Sequence, residues 1–242
     1  MSLLGHAAIA TWSNTSEPEP WAVWHSREHL PERVDVPGFL RGRRMRTEEK
    51  GAVPFFILYE LADASVLHSP AYLQRLNHPT EWTNRIMPSN LHMCRTLCTV
   101  AAQSGEGVGG FAIPIPLNAA AGRTDELQDW LRTSLMPTLA SVPTLTGCHL
   151  LLRHGPATHG ETQEERLRGK RNLSVDGVLT LEGYDAGALV NAVRSHVAEG
   201  WRRRGGASEA ATTVYQLAHV LAATDRRPPQ ALTPAAVSSS TR

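Results

Sequence analysis

The chain has 242 residues, 41% of them hydrophobic, which is enough for one large domain or two small ones with a sizeable core. A formal net charge of +1 gives no global reason to bind nucleic acid or an anionic membrane. Three cysteines argue against a disulfide framework; with no apolar run of membrane-helix length and no signal-peptide start, the expected location is cytoplasmic.

Gly5 to Trp12 reads as a first strand, and Ser13-Asn14-Thr15-Ser16 as a turn able to cap a helix. Pro18 and Pro20 fit only in or before a first helical turn, so a helix is expected from near Glu19, with Trp21, Trp24, His25 and Glu28 on one side. Pro31 is expected to stop that helix, because its ring clashes with the preceding turn and it has no N–H to donate. Pro37-Gly38 turns the chain into a second strand over 38–46, and Pro54 to Leu61 reads as a third. Ala64 to Met87 is helical text broken by Pro70 and Pro79, so two or three short helices are expected, followed by a fourth strand from Leu91 to Ala101. Cys94 and Cys98 on that strand would stand roughly 13 Å apart, too far for one disulfide or one metal. The Gly-rich joint from Gln103 to Gly110 leads into a strand instead of linking strand to helix, so it lacks phosphate-cradling geometry.

After the joint the order recurs. Strands are expected at Phe111 to Leu117, Leu145 to Arg153, Ser174 to Glu182 and Thr212 to Ala222, with helices at Asp125 to Leu139 and Ala186 to Glu199. Trp24-x6-Pro31-x5-Pro37 matches Trp130-x6-Pro137-x5-Pro143 at a constant offset of 106, the signature of an internal duplication. Where the first copy has His25, Glu28 and His29, the second has Leu131, Ser134 and Leu135. The expected organisation is a first repeat over 1–102, a linker over 103–110, a degenerate second repeat over 111–224 and a disordered tail over 225–242. The polar stretch 154–173 is expected to be a mobile excursion over the surface. Each half reads β-α-β-β-α-β, the ferredoxin-like order. The expected fold is α+β: two four-stranded sheets burying their open faces in one intramolecular barrel, with helices outside.

The run Trp24-His25-x2-Glu28-His29-Leu30-Pro31-Glu32-Arg33, then Val36-Pro37-Gly38-Phe39-x-Arg41-x-Arg43, resembles the dimeric α+β barrel superfamily, nearest its EthD-like members. Ser69-Pro70-Ala71-Tyr72 and Pro79-Thr80-Glu81-Trp82-Thr83 are similar to segments of the same proteins, and the resemblance covers residues 5–100. Relatives of single length form the barrel by dimerising, so the resemblance implies that a tandem chain forms it within one molecule; a homodimer of the tandem chain is left open. The superfamily includes cyclases, dehydratases, lactone isomerases, cofactor-free monooxygenases and haem enzymes, so it implies a fold and leaves the reaction open.

His29, His25 and Glu28 are the candidate catalytic residues, because titratable groups at this spacing can share a helical face and move protons. The same residues spell H-x-x-E-H, but a third metal ligand must come from elsewhere, and no metal is expected. Candidate substrate contacts are Trp24, Tyr59, His92 and the pair Arg41 and Arg43, with Arg44 and Arg46 as the other face of that strand. His6, His149 and His219 also lie on predicted strands and can line a cavity. Arg153-His154-Gly155 resembles a phosphatase motif, but its strand sits in the middle of a repeat and reads as a loop entry. The leading function is a cofactor-independent dehydratase, cyclase, isomerase or lyase that uses His general acid–base chemistry. Its partner would be a small hydrophobic or aromatic, polyketide-like substrate held inside an apolar barrel. The alternatives are a non-catalytic small-molecule-binding or stress-related barrel, and a haem-binding member, for which the chain carries no specific signature.

Overall fold

Alternating apolar residues from Ala7 onward form the first of eight strands that close on themselves. The computed structural model describes residues 2–155, 162–169 and 173–226. The strands are β1 (Ala7–Thr15), β2 (Phe39–Arg46), β3 (Phe55–Leu61), β4 (Asn90–Gly105), β5 (Phe111–Leu117), β6 (Leu145–Arg153), β7 (Gly177–Gly183) and β8 (Tyr215–Ala222). They run in the order β1-β3-β2-β8-β5-β7-β6-β4, each antiparallel to its neighbours. The ferredoxin-like order therefore appears twice, as β4-β1-β3-β2 and β8-β5-β7-β6. The halves are sewn together where β2 meets β8 and β6 meets β4, which leaves no free sheet edge. β4 continues to Gly105, so the connection between the halves is 106–110, shorter than the joint expected from Gln103.

Strand alternation sorts side chains into two layers. Ala8, Ala10, Met45, Phe56, Leu58, Leu151 and Val178 fill the barrel interior, while Ile9, Ile57 and Leu61 face the helices of the first half. The interior also holds charge. Arg43 pairs with Glu182 at 2.7 Å and Glu60 at 3.1 Å, and Arg41 pairs with Glu60 at 2.8 Å. Burial pushes the Glu182 carboxyl up, but the Arg43 guanidinium, the His149 ring and the Gly109 N–H together hold the group below the usual carboxylate range. Burial also lowers His149 to about 4, so that ring is neutral between these ions. The interior is thus a packed core around an ion cluster, and the expectation that it holds a substrate is corrected.

A bulge in β2 decides which arginines belong to that core. The register shifts between Phe39 and Arg41, so Phe39 turns toward the helices while Arg41 and Arg43 turn into the barrel. Phe39 does not share a face with them, contrary to simple alternation. Arg44, of the other parity, reaches the helix layer and donates to the Ala22 carbonyl at 2.7 Å.

The first helix does not stop at Pro31. Pro18–Trp24 leads into a π turn, His25–His29, and the rod continues as Leu30–Val34. In the π turn the Leu30 N–H reaches back to the His25 carbonyl, five residues away. The widened turn moves the ladder out of the pattern in which Pro31 would have to donate and would clash, so the proline is accommodated. The second half repeats the device at the same offset, with a π turn Leu131–Leu135 and a continuation Met136–Ala140 that contains Pro137. Between β3 and β4 lie a 3-10 turn, Ala64–His68, and two short helices, Pro70–Asn77 and Glu81–Ile86, capped by Ser69 and Thr80.

The stretch expected to wander over the surface contains a short helix, Gln163–Arg168, closed at its start by a Thr162–Glu165 capping box. Glu164 on that helix is buried and forms an ion pair with Arg33 of the first half. Residues 156–161 and 170–172 of that stretch, and the tail beyond 226, lie outside the described residues.

Arg43→Met would leave Glu60 and Glu182 buried without their shared cation. The expected cost is about 3–5 kcal/mol, read as a lower urea midpoint; a midpoint within error of the parent would remove the ion cluster as the element holding the halves in register.

Candidate active site

The cavity lies between the outer face of the first sheet and the helices over it, outside the barrel. It is a partly enclosed pocket that opens to solvent at its mouth, with about 70 Å³ of free space inside. Ile9, Ile57, Phe39, Trp21 and Trp24 make its apolar walls, and His25, His29, Tyr59, Arg33, Arg95 and Arg168 supply its polar groups. The helix Gln163–Arg168 roofs it from the second half.

His25 is buried and stacks on Trp21 at 4.9 Å between ring centres. Its Nδ1 faces Arg44 Nη1 at 3.5 Å and its Nε2 faces the Tyr59 hydroxyl at 3.2 Å. A guanidinium can only donate, so Nδ1 is the acceptor and the proton sits on Nε2, which donates to Tyr59. The Tyr59 O–H is then free to donate into the cavity. Burial raises the Tyr59 pKa above the ordinary phenol range, so the group stays protonated.

His29 is arranged differently. Its ring lies 4.5 Å from Trp24 and 5.6 Å from His25, and part of it remains open to the cavity. Among the described residues neither ring nitrogen has a hydrogen-bond partner, and Nδ1 is fully enclosed. Burial lowers both histidines well below their usual pKa; Arg44 adds to the effect at His25, and Arg33 does so at His29. Both are neutral at physiological pH, so the cavity lining holds His29 as a neutral imidazole without a partner and Tyr59 as a protonated phenol.

The structure brings Trp24, His25, His29 and Tyr59 together and turns the other sequence candidates elsewhere. Glu28 accepts from the Trp24 indole at 3.1 Å, Thr80 at 2.6 Å and Thr83 at 3.1 Å, tying the first helix to Glu81–Ile86 outside the cavity. A π turn advances by a smaller angle per residue than an α-helix, so Glu28 falls off the face that the two histidines share. The H-x-x-E-H text therefore does not converge, and among the described residues no cluster of His, Cys, Asp and Glu could hold a metal ion. Arg41 and Arg43 belong to the barrel core. His92 is exposed, because its neighbours Met93 and Arg95 have the parity that faces the cavity. Arg33, Tyr72, Arg95, Glu164 and Arg168 were not singled out from sequence. Arg33 was visible as the end of the Glu-His-Leu-Pro-Glu-Arg run, but the others need the tertiary fold.

Comparison of the halves isolates the site. In the second half, Leu131, Leu135, Leu139 and Leu150 stand where the first has His25, His29, Arg33 and Arg44 at the offset of 106. The strand registers place Leu181 against Ile113 as Tyr59 stands against Ile9. All of these leucines are buried in the second helix–sheet layer. One half fills this layer with leucine, and the other builds a polar cavity in it.

The fold and this cavity define the chain as a two-unit α+β barrel with a helix–sheet site. No protein-family model matches the chain, and no curated protein is similar to it in sequence. Solved structures share the fold. An anthrone oxidase-like protein superposes with a TM-score of 0.62 at 12% identity, covering 94% of this chain and 98% of its own. A provisionally assigned monooxygenase from Fusobacterium nucleatum gives 0.55 at 9% identity, with 91% and 96% covered. A provisionally assigned chlorite dismutase gives 0.51 at 8%, with 88% and 95% covered. At these identities the likeness carries the architecture and not the chemistry. The described residues contain no helix long and apolar enough to cross a membrane.

The depressed histidines fix a pH dependence. His25 and His29 bind fewer protons folded than unfolded, so their stability contribution is complete above the unfolded value of about 6.5 and falls as pH drops below it. Unfolding free energy is expected to drop by up to about 2–3 kcal/mol per pH unit below pH 6. The double variant His25→Leu/His29→Leu, which copies Leu131 and Leu135, should flatten that slope in urea titrations at pH 7.5 and 5.5; an unchanged slope would assign it to other groups.

Proposed function

We propose that the chain is a cofactor-independent enzyme that removes a proton from an aromatic, polyketide-like ketone or phenol, with His29 as base and Tyr59 as donor to the developing oxyanion. The observation that carries this reading is the asymmetry between the histidines. One is locked in a tautomer that frees the Tyr59 hydroxyl, and the other is neutral, enclosed and unengaged. A base needs an unshared lone pair near the reacting proton, and an oxyanion donor needs fixed geometry. The aromatic walls suit a planar substrate. Once the anion forms, loss of a leaving group or reprotonation at another carbon gives the elimination, cyclisation and isomerisation reactions that the EthD-like resemblance of the His25–Arg33 run suggests. EthD-like membership is part of this proposal and rests on that run together with the Val36–Arg43, Ser69–Tyr72 and Pro79–Thr83 segments.

A second outcome is supported by the anthrone oxidase-like and monooxygenase neighbours. The same carbanion could give an electron to dioxygen and recombine with the superoxide as a peroxide anion. Taking up a proton makes the hydroperoxide, which loses water with the remaining hydrogen on that carbon to leave a ketone. The proton-abstraction step is common to both, and oxygen consumption separates them.

The test is exchange of the acidic C–H hydrogens of 1,8-dihydroxyanthrone with D2O, followed by NMR. His29→Ala and Tyr59→Phe should each slow enzyme-dependent exchange by about 10²–10³-fold. Parental exchange rates in both folded variants would leave the chain as a binding protein without this chemistry.

A further inference from the structure

We propose that the substrate of this cavity carries a carboxylate, received by Arg95 and Arg168 beneath the roof helix, so that the ligand class is aromatic carboxylic acids and not neutral polycycles. The proposal rests on the cavity being the ligand site, but not on His29 acting as a base.

Three arginines line the cavity against two glutamates. Glu164 is spent on Arg33 in a buried ion pair. Glu165 is spent on the roof helix, where its carboxylate accepts from the Thr162 backbone N–H at 3.1 Å, and it stands 3.9 Å from Arg168. Arg95 donates to the Tyr72 hydroxyl at 3.0 Å and is not matched by any carboxylate among the described residues. Arg168 is nine-tenths buried, has only a long ion pair to Glu165 through Nη2 and the Met93 sulfur at 3.1 Å from Nη1, and has its Nε enclosed without a partner. Arg33 Nη1 is likewise enclosed and unpartnered.

A buried guanidinium that lacks an anion is costly, and proteins tolerate it where a ligand supplies the missing charge. Burial and the nearby Arg95 push the Arg168 pKa down further than Glu164 and Glu165 pull it up, as expected of converging cations whose counterions fall short. With both site histidines neutral, the lining carries one positive charge more than negative. A monoanionic carboxylate cancels it, and its two oxygens match the planar guanidinium fork. The same arginines act electrostatically on His29, so the carboxylate would lie at the end of the ligand nearest that ring.

The experiment uses 3-hydroxy-2-naphthoate and its methyl ester as probes, titrated at pH 7.5 and low salt by quenching of the wall tryptophans. The acid is expected to bind at least about tenfold tighter than the ester. Arg95→Met and Arg168→Met should each remove that preference while leaving ester affinity unchanged, which also shows that the cavity is still folded. Equal affinities in the parent, an undiminished preference in both variants, or no binding of either probe overturns the proposal. His29→Ala should keep the preference for the acid. If it does while losing no proton exchange, the carboxylate site stands and the base assignment falls.

Discussion

Arg43 reaches from β2 in the first half to Glu182 on β7 in the second, and takes Glu60 of β3 on the way. The position of the site depends on that contact. Buried charges must be paired and packed closely to be tolerated, so the space between the two sheets is committed to structure. A ligand then has to be accommodated in one of the outer layers, between a sheet and its helices. Sequence length and apolar content allowed either arrangement; the pairing of Arg43 excluded the first.

The two outer layers solve the same packing problem with different residues. In the second half Leu131, Leu135, Leu139, Leu150 and Leu181 close the space between helix and sheet. In the first, the matching positions carry His25, His29, Arg33, Arg44 and Tyr59. Most of these polar groups compensate one another: Arg44 with Ala22 and His25, His25 with Tyr59, Arg33 with Glu164. His29 is the exception. An enclosed nitrogen without a partner costs about 1–3 kcal/mol, a cost for which the proposed role of this ring would account.

The π turn overrides what residue spacing alone would dictate in the motif. Spacing of three and four residues on an ideal helix gathers His25, Glu28 and His29 on one face. The structure keeps the two histidines and rotates Glu28 onto Thr80 and Thr83, where it braces the neighbouring helix. The same turn lets the helix pass through Pro31, so both misreadings have one cause. Its recurrence over Leu131–Leu135, where leucines replace the histidines, shows that the histidines do not cause it.

The sequence by itself determined the two β-α-β-β-α-β units, seven of the eight strands to within a few residues, and the half in which titratable groups replace leucine. These come from hydrophobic period, proline and glycine placement, and a comparison at constant offset, all of which are local or internal to the chain. It also singled out Trp24, His25, His29 and Tyr59, which line one cavity in the structure. Only the tertiary structure decided that Arg41 and Arg43 serve the core, because one bulge in β2 shifts the parity of every residue after it. Only the tertiary structure placed Arg95, Arg168 and Glu164 at the cavity, since they come from β4 and from a helix in the other half, and no pattern along the chain encodes a contact closed by the barrel itself.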